Sequence, residues 1–482
     1  IGFDPWLHSV DEIEQYKRSM ANTDITLQAT QNLVDIIWKD QPSAPTEKSF
    51  PYEDEFAGAT QSSKRKTLAK ELKIHGNSAA VITLPEGIAW LLNIRGGDVE
   101  HLPIVQAFSI LHSNNEVDIF VDKRKVENLK EHFGNGINLY NENDFLSQLT
   151  RLTGSICIDK SSLPFAAYES LLASKATLDP RGDITALPKA CKNETELSRA
   201  RDAHLIDAIA MCKFLCWLNS QTAGILTEID IVMELESFRS ANPELYDISF
   251  ETICASGPNA ALPHYRVNND SNRTIKNGEV ILIDSGGQYK SGTTDITRTT
   301  ALGQVSSEIK QAFTLVLKGM ISISKLRFPK GMAGCDLDAF ARVFLWSEGL
   351  DFAHGTGHGV GQFLSVHEGP QRLSRTSNVP FEAGMIISNE PGFYKEGHFG
   401  IRIENLLTVT KAPKLEHSVV AEMFIFETLN FVPIDKSLIE KDLMSTDEIV
   451  WLNEYHSQCR EKIRAHLDEN ERIWLDHATN KL

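Results

Sequence analysis

Short apolar runs alternate with helix-spaced apolar positions through the first part of the chain. "SAAVITL", "VDIFVD" and "GSICIDK" are compact apolar runs bounded by polar or glycine residues, which predicts strands. "LPEGIAWLLNI" and "PFAAYESLLA" read as helices, and a further helix is expected around 64–73. This mixture, continuing to about residue 185, predicts one α/β domain. Ahead of it, 11–21 predicts a short helix, "DITLQAT" a strand and "NLVDIIWKD" another helix. The polar, proline-bearing stretch 41–63 reads as a linker or surface strap. The basic run Lys64, Arg65 and Lys66 reads as a solvated helix face.

Near 193 the pattern changes. Asn193 followed by Glu196 has the form of a capping box opening a long helix. Beyond it, "GEVILIDSGGQY", "TTDITRTTAL", "GMIISNEPGFY" and "GIRIENLLTVT" predict strands. "SSEIKQAFTLVLKGMISISKL" and "CDLDAFARVFLWSEGL" predict helices. Strands in bulk crossed by helices predict an α+β domain around a curved antiparallel sheet. After 431 an amphipathic helix is expected, capped by Ser445 with Glu448, its apolar side formed by Ile449, Leu452, Cys459, Ile463 and Leu467 and packed on its own domain. The divisions are therefore 1–63, 64–188, 189–430 and 431–482.

Composition narrows the function. A chain of 482 residues with 41% hydrophobic and 23% charged residues can bury several cores. A net charge of −17 argues against a nucleic-acid backbone as the main partner and suits a protein that binds cations. Seven scattered cysteines without a CxxC pair fit a reducing cytosol, with Cys212 and Cys216 read as buried free thiols on a helix. No apolar run is long enough to span a bilayer. The start at Ile1 rather than Met predicts that the natural beginning is missing.

The candidate chemistry lies in the strands. Asp284 ends the apolar run "VILID", and Asp295 follows a turn-rich "QYKSG", so the two runs can pair and bring both carboxylates together. Glu390 follows "MIISN", and Glu404 lies in "GIRIEN" within an apolar strand; Arg402, on the same face as Glu404, can buttress an acidic cluster. Each acid alone reads as a turn or strand-end residue. Four on separate apolar runs cannot share a core unless cations neutralise them. With one imidazole added, the oxygen-rich set suits two divalent ions of the Mn²⁺ or Co²⁺ kind rather than a tetrahedral structural zinc. "HGTGHGVG" (354–361) offers two histidines, but its glycines make it a loop rather than a helix.

These strings, together with "LPHY" (262–265), "VHEGP" (366–370) and "ISNEPGFY" (387–394), resemble the pita-bread metallopeptidases, a group that includes methionine aminopeptidase, prolidase, creatinase and aminopeptidase P. The "DPWLHS" start and long tail resemble the three-domain cytosolic aminopeptidase P family, with most of the first domain lacking. The resemblance implies a pita-bread catalytic domain preceded by a creatinase-N-like α/β domain. It implies Asp284, Asp295, His358, Glu390 and Glu404 as ligands of two divalent ions, most naturally Mn²⁺ with Co²⁺ or Zn²⁺ as alternatives. Asp295 and Glu404 would bridge. It makes His264, His354 and His367 pocket residues that donate to the peptide carbonyl, and Glu390 the proton shuttle. Substrate contacts would come from His264, His358, His367, Tyr394 and Arg402. The implied activity is cytoplasmic hydrolysis of the N-terminal Xaa-Pro bond of peptides with proline second, by a hydroxide held between the ions. Nucleic acid and membrane are not expected partners; a homodimer is allowed. A prolidase, or a non-enzymatic scaffold of the same fold, are the alternatives; the intact ligand set argues against the scaffold.

Overall fold

The computed structural model describes residues 1–482. They form two compact units, Ile1–Lys189 and Ala190–Leu482.

In the first unit a mixed sheet runs in the order Lys175–Asp179, Thr153–Cys157, Ala79–Ile82, Phe108–His112, Val117–Phe120, Ile137–Tyr140. Lys175–Asp179, Thr153–Cys157 and Ala79–Ile82 run parallel, as do Val117–Phe120 and Ile137–Tyr140, while Phe108–His112 is antiparallel to both its neighbours. Val81, Ile110, Phe120, Phe145, Ile156 and Leu171 pack into one core. The predicted "DITLQAT" strand contracts to the pair Gln28–Ala29, held against Gly2–Phe3. The expected linker 41–63 is partly regular: Phe50–Pro51 pairs with Ile94–Arg95, and Asp54–Ala57 is a helical turn.

The reading of Lys64 and Arg65 as a solvated face is wrong. Both are buried in the helix Gln61–Ile74. Lys64 Nζ donates to Trp90 O and Asn93 Oδ1, and the Arg65 guanidinium donates to the carbonyls of Asn115, Asn135 and Gly136. A fixed cation here satisfies turn carbonyls that would otherwise be buried without a donor. Only Lys66 lies on the solvent side.

The second unit opens with the helix Glu194–Asn219, whose Asn193–Glu196 capping box forms as the sequence predicts. Two of its antiparallel sheets position the site. One holds Ile253–Ser256, Glu279–Ser285 and Ile296–Leu302; the other holds Arg327–Pro329, Met423–Thr428, Asn405–Lys411 and Ile386–Asn389. The curved sheet is thus built in pieces, and Glu404 falls between Phe399–Arg402 and Asn405–Lys411 rather than within a strand. The helix Thr446–Ile463 carries the expected Ser445–Glu448 capping box. Its Leu452, Tyr455 and Cys459 pack with Phe313, Leu317 and Ile321 of the helix Ser307–Ser324, so it covers its own unit. No helix is long and apolar enough to cross a membrane.

Candidate metal centre

Hairpin register brings the first two acids together. Glu279–Ser285 pairs with Ile296–Leu302 so that Asp284 faces Thr297, and Asp295 stands one residue ahead of the partner strand. A tight turn at Tyr289–Gly292 closes the intervening segment. Glu390 follows the strand Ile386–Asn389, and its backbone N–H donates to Thr356 O. Glu404 donates its backbone N–H to Thr297 O, across from the Asp284 strand. The loop with the two histidines runs between these segments. Within it Gly357–His358 pairs with Arg372–Leu373, and a Cβ on Gly357 would collide with the Ser388 carbonyl oxygen. Only glycine lets His358 approach so closely to the Glu390 segment.

The side chains converge. His358 Nε2 stands 3.3 Å from Glu390 Oε1 and 3.5 Å from Asp295 Oδ2. Ligating atoms of Asp295, His358 and Glu404 lie within 4.8 Å of one another. Asp295 and Glu404 are 3% and 1% exposed, so little water reaches their charges. Three of the buried carboxylate oxygens, Asp284 Oδ1, Asp295 Oδ1 and Glu404 Oε1, receive no hydrogen bond. Burial, then the Asp284 and Glu390 carboxylates, push the Asp295 carboxyl well above its ordinary range; burial, then Asp295, do the same to Glu404. Glu390 goes the other way. Burial would raise it, but His358, His354 and Arg402 together hold it low. Uncompensated oxygens around one imidazole nitrogen are a donor set for divalent cations, so these residues fit such ions.

Neighbouring groups fix the acids. Arg402, fully surrounded by protein, donates from Nη2 to Asp284 Oδ2 at 2.6 Å and from Nη1 to Tyr394 OH at 2.7 Å. Thr297 Oγ1 donates to Glu404 Oε2 at 2.8 Å, and Ser388 Oγ donates to Glu390 Oε1 at 3.0 Å. The Tyr394 hydroxyl also meets His354 Nε2 at 2.9 Å, while His354 Nδ1 meets Gly355 O at 2.7 Å. Both ring nitrogens of His354 are therefore taken up inside the chain. With Arg402 donating to its oxygen, Tyr394 donates to His354 Nε2, and Nδ1 carries the ring proton. Burial pushes Tyr394 up to about 12 and lowers His354.

A cavity of about 590 Å³ opens over the acids, lined by His264, His354, His358 and His367 among others. The His367 ring packs edge-on against His358 at 4.4 Å between centroids. Burial, reinforced by His358, brings His367 down to about 4, so it is a neutral imidazole at neutral pH. All ten residues singled out from the sequence thus fall in one region. His264, His358 and His367 face the cavity; Tyr394 lies behind it, bonded to His354 and Arg402.

Matches to family models and to known proteins accompany this geometry. Residues 198–411 match the model of metallopeptidase family M24, residues 40–196 the creatinase/prolidase N-terminal domain, and residues 422–482 the C-terminal region of the M24 peptidases. Aminopeptidase P2 of Arabidopsis thaliana is 38% identical, over 100% of this chain and 73% of its own length. The chain belongs to metallopeptidase family M24, in its aminopeptidase P branch. Aminopeptidase P1 of Lotus japonicus is 35% identical over 99% of this chain and 83% of its own length. The solved X-prolyl aminopeptidase of Caenorhabditis elegans, described as a cytosolic enzyme with a di-nuclear active site, superposes with a TM-score of 0.94 at 32% identity, covering 100% of this chain and 81% of that one. The pita-bread catalytic domain and creatinase-type N-terminal domain expected from the sequence are the fold of this M24 chain.

Sequence reasoning missed the supports. In the helix Gly334–Trp346, Arg342 pairs with Asp338 at 2.5 Å and donates to the carbonyls of Phe352 and His354, while Thr356 donates to Asp338. An oppositely charged pair four residues apart on a buried helix face is the signal that marks it. Lys192, from the start of the unit, meets Glu368 at 3.0 Å with both side chains buried, next to His367. No local pattern links residues so far apart in the chain.

Proposed function

We propose that this M24 enzyme removes the N-terminal residue from peptides with proline in second place, using two divalent cations held by Asp284, Asp295, His358, Glu390 and Glu404. The observation that carries the reading is the set of buried carboxylate oxygens without a donor on Asp284, Asp295 and Glu404, the last two acids having ligating atoms within 4.8 Å of one of His358, beneath an open cavity. When bound, the ions supply Lewis-acid activation of water and of the scissile carbonyl. Asp295 and Glu404, whose ligating atoms lie within 4.8 Å of each other, would be held by both ions in common. The donor set, rich in oxygen with a single imidazole, favours Mn²⁺.

The protein's own groups do the rest. His367 and His264 line the cavity and offer ring N–H groups to the oxygen of the scissile carbonyl as it gains charge. Glu390, held ionised by His358, His354 and Arg402, takes the proton of the attacking water on its carboxylate and passes it to the proline nitrogen as the bond to the scissile carbonyl carbon breaks. His354 has no ring N–H left for substrate, so its part is to lock Tyr394, and through it Arg402, against Asp284. The proline nitrogen of an Xaa-Pro bond bears no hydrogen, so the cavity need offer it no acceptor. The names of the relatives support this substrate class, and the cytosolic setting of the Caenorhabditis elegans enzyme supports the same compartment here.

Purified protein, its metal content measured, is assayed on Arg-Pro-Pro and Gly-Pro before and after dialysis against a chelator. Release of arginine from the tripeptide, lost on dialysis and restored by Mn²⁺, is expected. Cleavage of Gly-Pro alone would make the enzyme a prolidase, and full activity in metal-free protein would remove the carboxylates from the chemistry.

A further inference from the structure

The carboxylates of the centre are oriented by Thr297 and Arg402, but their backbone is held by something else. Arg298, adjacent to Thr297 and buried, spreads its guanidinium over acceptors from four segments. Nη1 donates to Glu404 O at 2.6 Å and to Thr297 O at 2.9 Å. Nη2 donates to Asn405 Oδ1, Val432 O and Tyr455 OH, each at 2.8 Å, and Nε to Pro433 O at 3.2 Å. Tyr455 comes from the helix Thr446–Ile463, far from the catalytic strands in the chain. Its hydroxyl meets Arg298, Val432 O at 2.8 Å and Asn430 O at 3.2 Å, and it accepts from Val432 N at 3.2 Å. Asn430 in turn donates from Nδ2 to Asp295 O at 3.0 Å and accepts from Leu406 N. The next helix residue, His456, accepts the Ile434 N–H on Nε2 at 3.1 Å.

The carbonyls of Asp295, Thr297 and Glu404 are thus tied, through Asn430 and Arg298, to a strip of chain at 430–434 that Tyr455 and His456 pin from the C-terminal helix. We propose that Tyr455 and Arg298 are positioning residues of the metal centre: the C-terminal helix sets the separation of Asp295 and Glu404 and thereby the affinity for metal. The inference rests on the reading that these two acids hold the ions. A planar guanidinium with several fixed acceptors is rigid where a single hydrogen bond is not, and Tyr455 is itself clamped by stacking on Trp451, with ring centroids 5.3 Å apart and planes within 4°. Groups that orient ligands from outside the coordination sphere commonly change metal affinity about 10–100-fold when removed.

The test uses Tyr455→Phe, which keeps the ring and its stacking and removes one oxygen. Metal-free parent and variant are titrated with Mn²⁺, and binding is followed by calorimetry and by the rise in Tm. About tenfold weaker binding in the variant is expected, the lower end of that range because Tyr455 acts through Arg298. A lower kcat with little change in KM for Arg-Pro-Pro should accompany it. Leu452→Ala, on the same helix but outside the polar network, is the control; it should lower Tm yet bind Mn²⁺ like the parent. Should Tyr455→Phe fail to fold, Arg298→Lys carries the test with the same reading, since an ammonium cannot span the acceptors. Equal Mn²⁺ affinity in the variant and parent overturns the inference. So does an equal loss in Leu452→Ala, which would make the effect one of general stability. A parent that binds no Mn²⁺ overturns instead the assignment of the carboxylates.

Discussion

At the residue scale the centre trades stability for binding. Burial and the neighbouring carboxylates, Asp284 and Glu390 for Asp295 and Asp295 first for Glu404, push both acids up, and bound cations would relieve them. Asp295→Asn should therefore abolish turnover and metal-induced stabilisation while the metal-free variant melts no lower than the metal-free parent; thermal scans with and without Mn²⁺ check it, and a clear fall in the metal-free Tm would contradict the crowding argument. His367 is a different case. It bears on no backbone group and packs edge-on against His358, so its loss should spare binding. His367→Ala is expected to lower kcat on the order of 10² with KM and metal content near those of the parent, as for other donors to developing charge. Steady-state kinetics and metal analysis on one sample decide it; lost metal would move His367 into the coordination sphere. These residues were legible because each stands inside a short string, such as "ILID", "HGTGHGVG" or "IRIEN", where an acid or imidazole interrupts apolar or glycine positions. His354 shows the limit of that signal: the string marks its importance, but only the structure shows its two nitrogens spent on Gly355 and Tyr394.

At the scale of elements, the helix Gly334–Trp346 is what holds the histidine loop. Arg342 and Asp338 are 2% and 1% exposed in their side chains, and the guanidinium also stacks over Phe352 at 3.8 Å. Arg342→Met leaves Asp338 buried without its partner, so a loss of about 3–5 kcal/mol is expected, with reduced activity because His354 and Thr356 lose their anchor. Adding Asp338→Asn should recover at least about 1 kcal/mol of that, a coupling that urea denaturation of the single and double variants measures. Simple additivity would mean the pair does not act as a unit. Capped helices such as Glu194–Asn219 and Thr446–Ile463 were legible to their first residues, because a cap is a local device. Lys64 and Arg65 were misread for the opposite reason: their partners at 90–93, 115 and 135–136 are brought up only by the fold.

For the molecule as a whole, His456 makes the second unit sensitive to acid. Burial first, then the charges of Lys436, Arg298 and Arg460, hold its imidazole down to about 3, against 6.5 when unfolded. The neutral ring is the one the fold uses, since its Nε2 accepts the Ile434 N–H. Its contribution is complete above about pH 6.5 and falls away as pH drops toward 3, amounting to about 2 kcal/mol by pH 5. His456→Gln should flatten the fall in urea stability between pH 7.5 and 5 by roughly that amount; an unchanged slope would place the sensitivity elsewhere. The division of the chain into an α/β portion followed by strands and helices could be read from hydrophobic spacing, whereas the tie from Tyr455 to Glu404 could not, since no periodicity spans it. That tie also imposes an order in time. Asp284 leaves the ribosome on the order of ten seconds before Tyr455 at ordinary elongation rates, so the acids are made long before the helix that spaces them. A nascent chain would offer a loose cluster of carboxylates, and tight binding of metal would wait until the helix Thr446–Ile463 has been made.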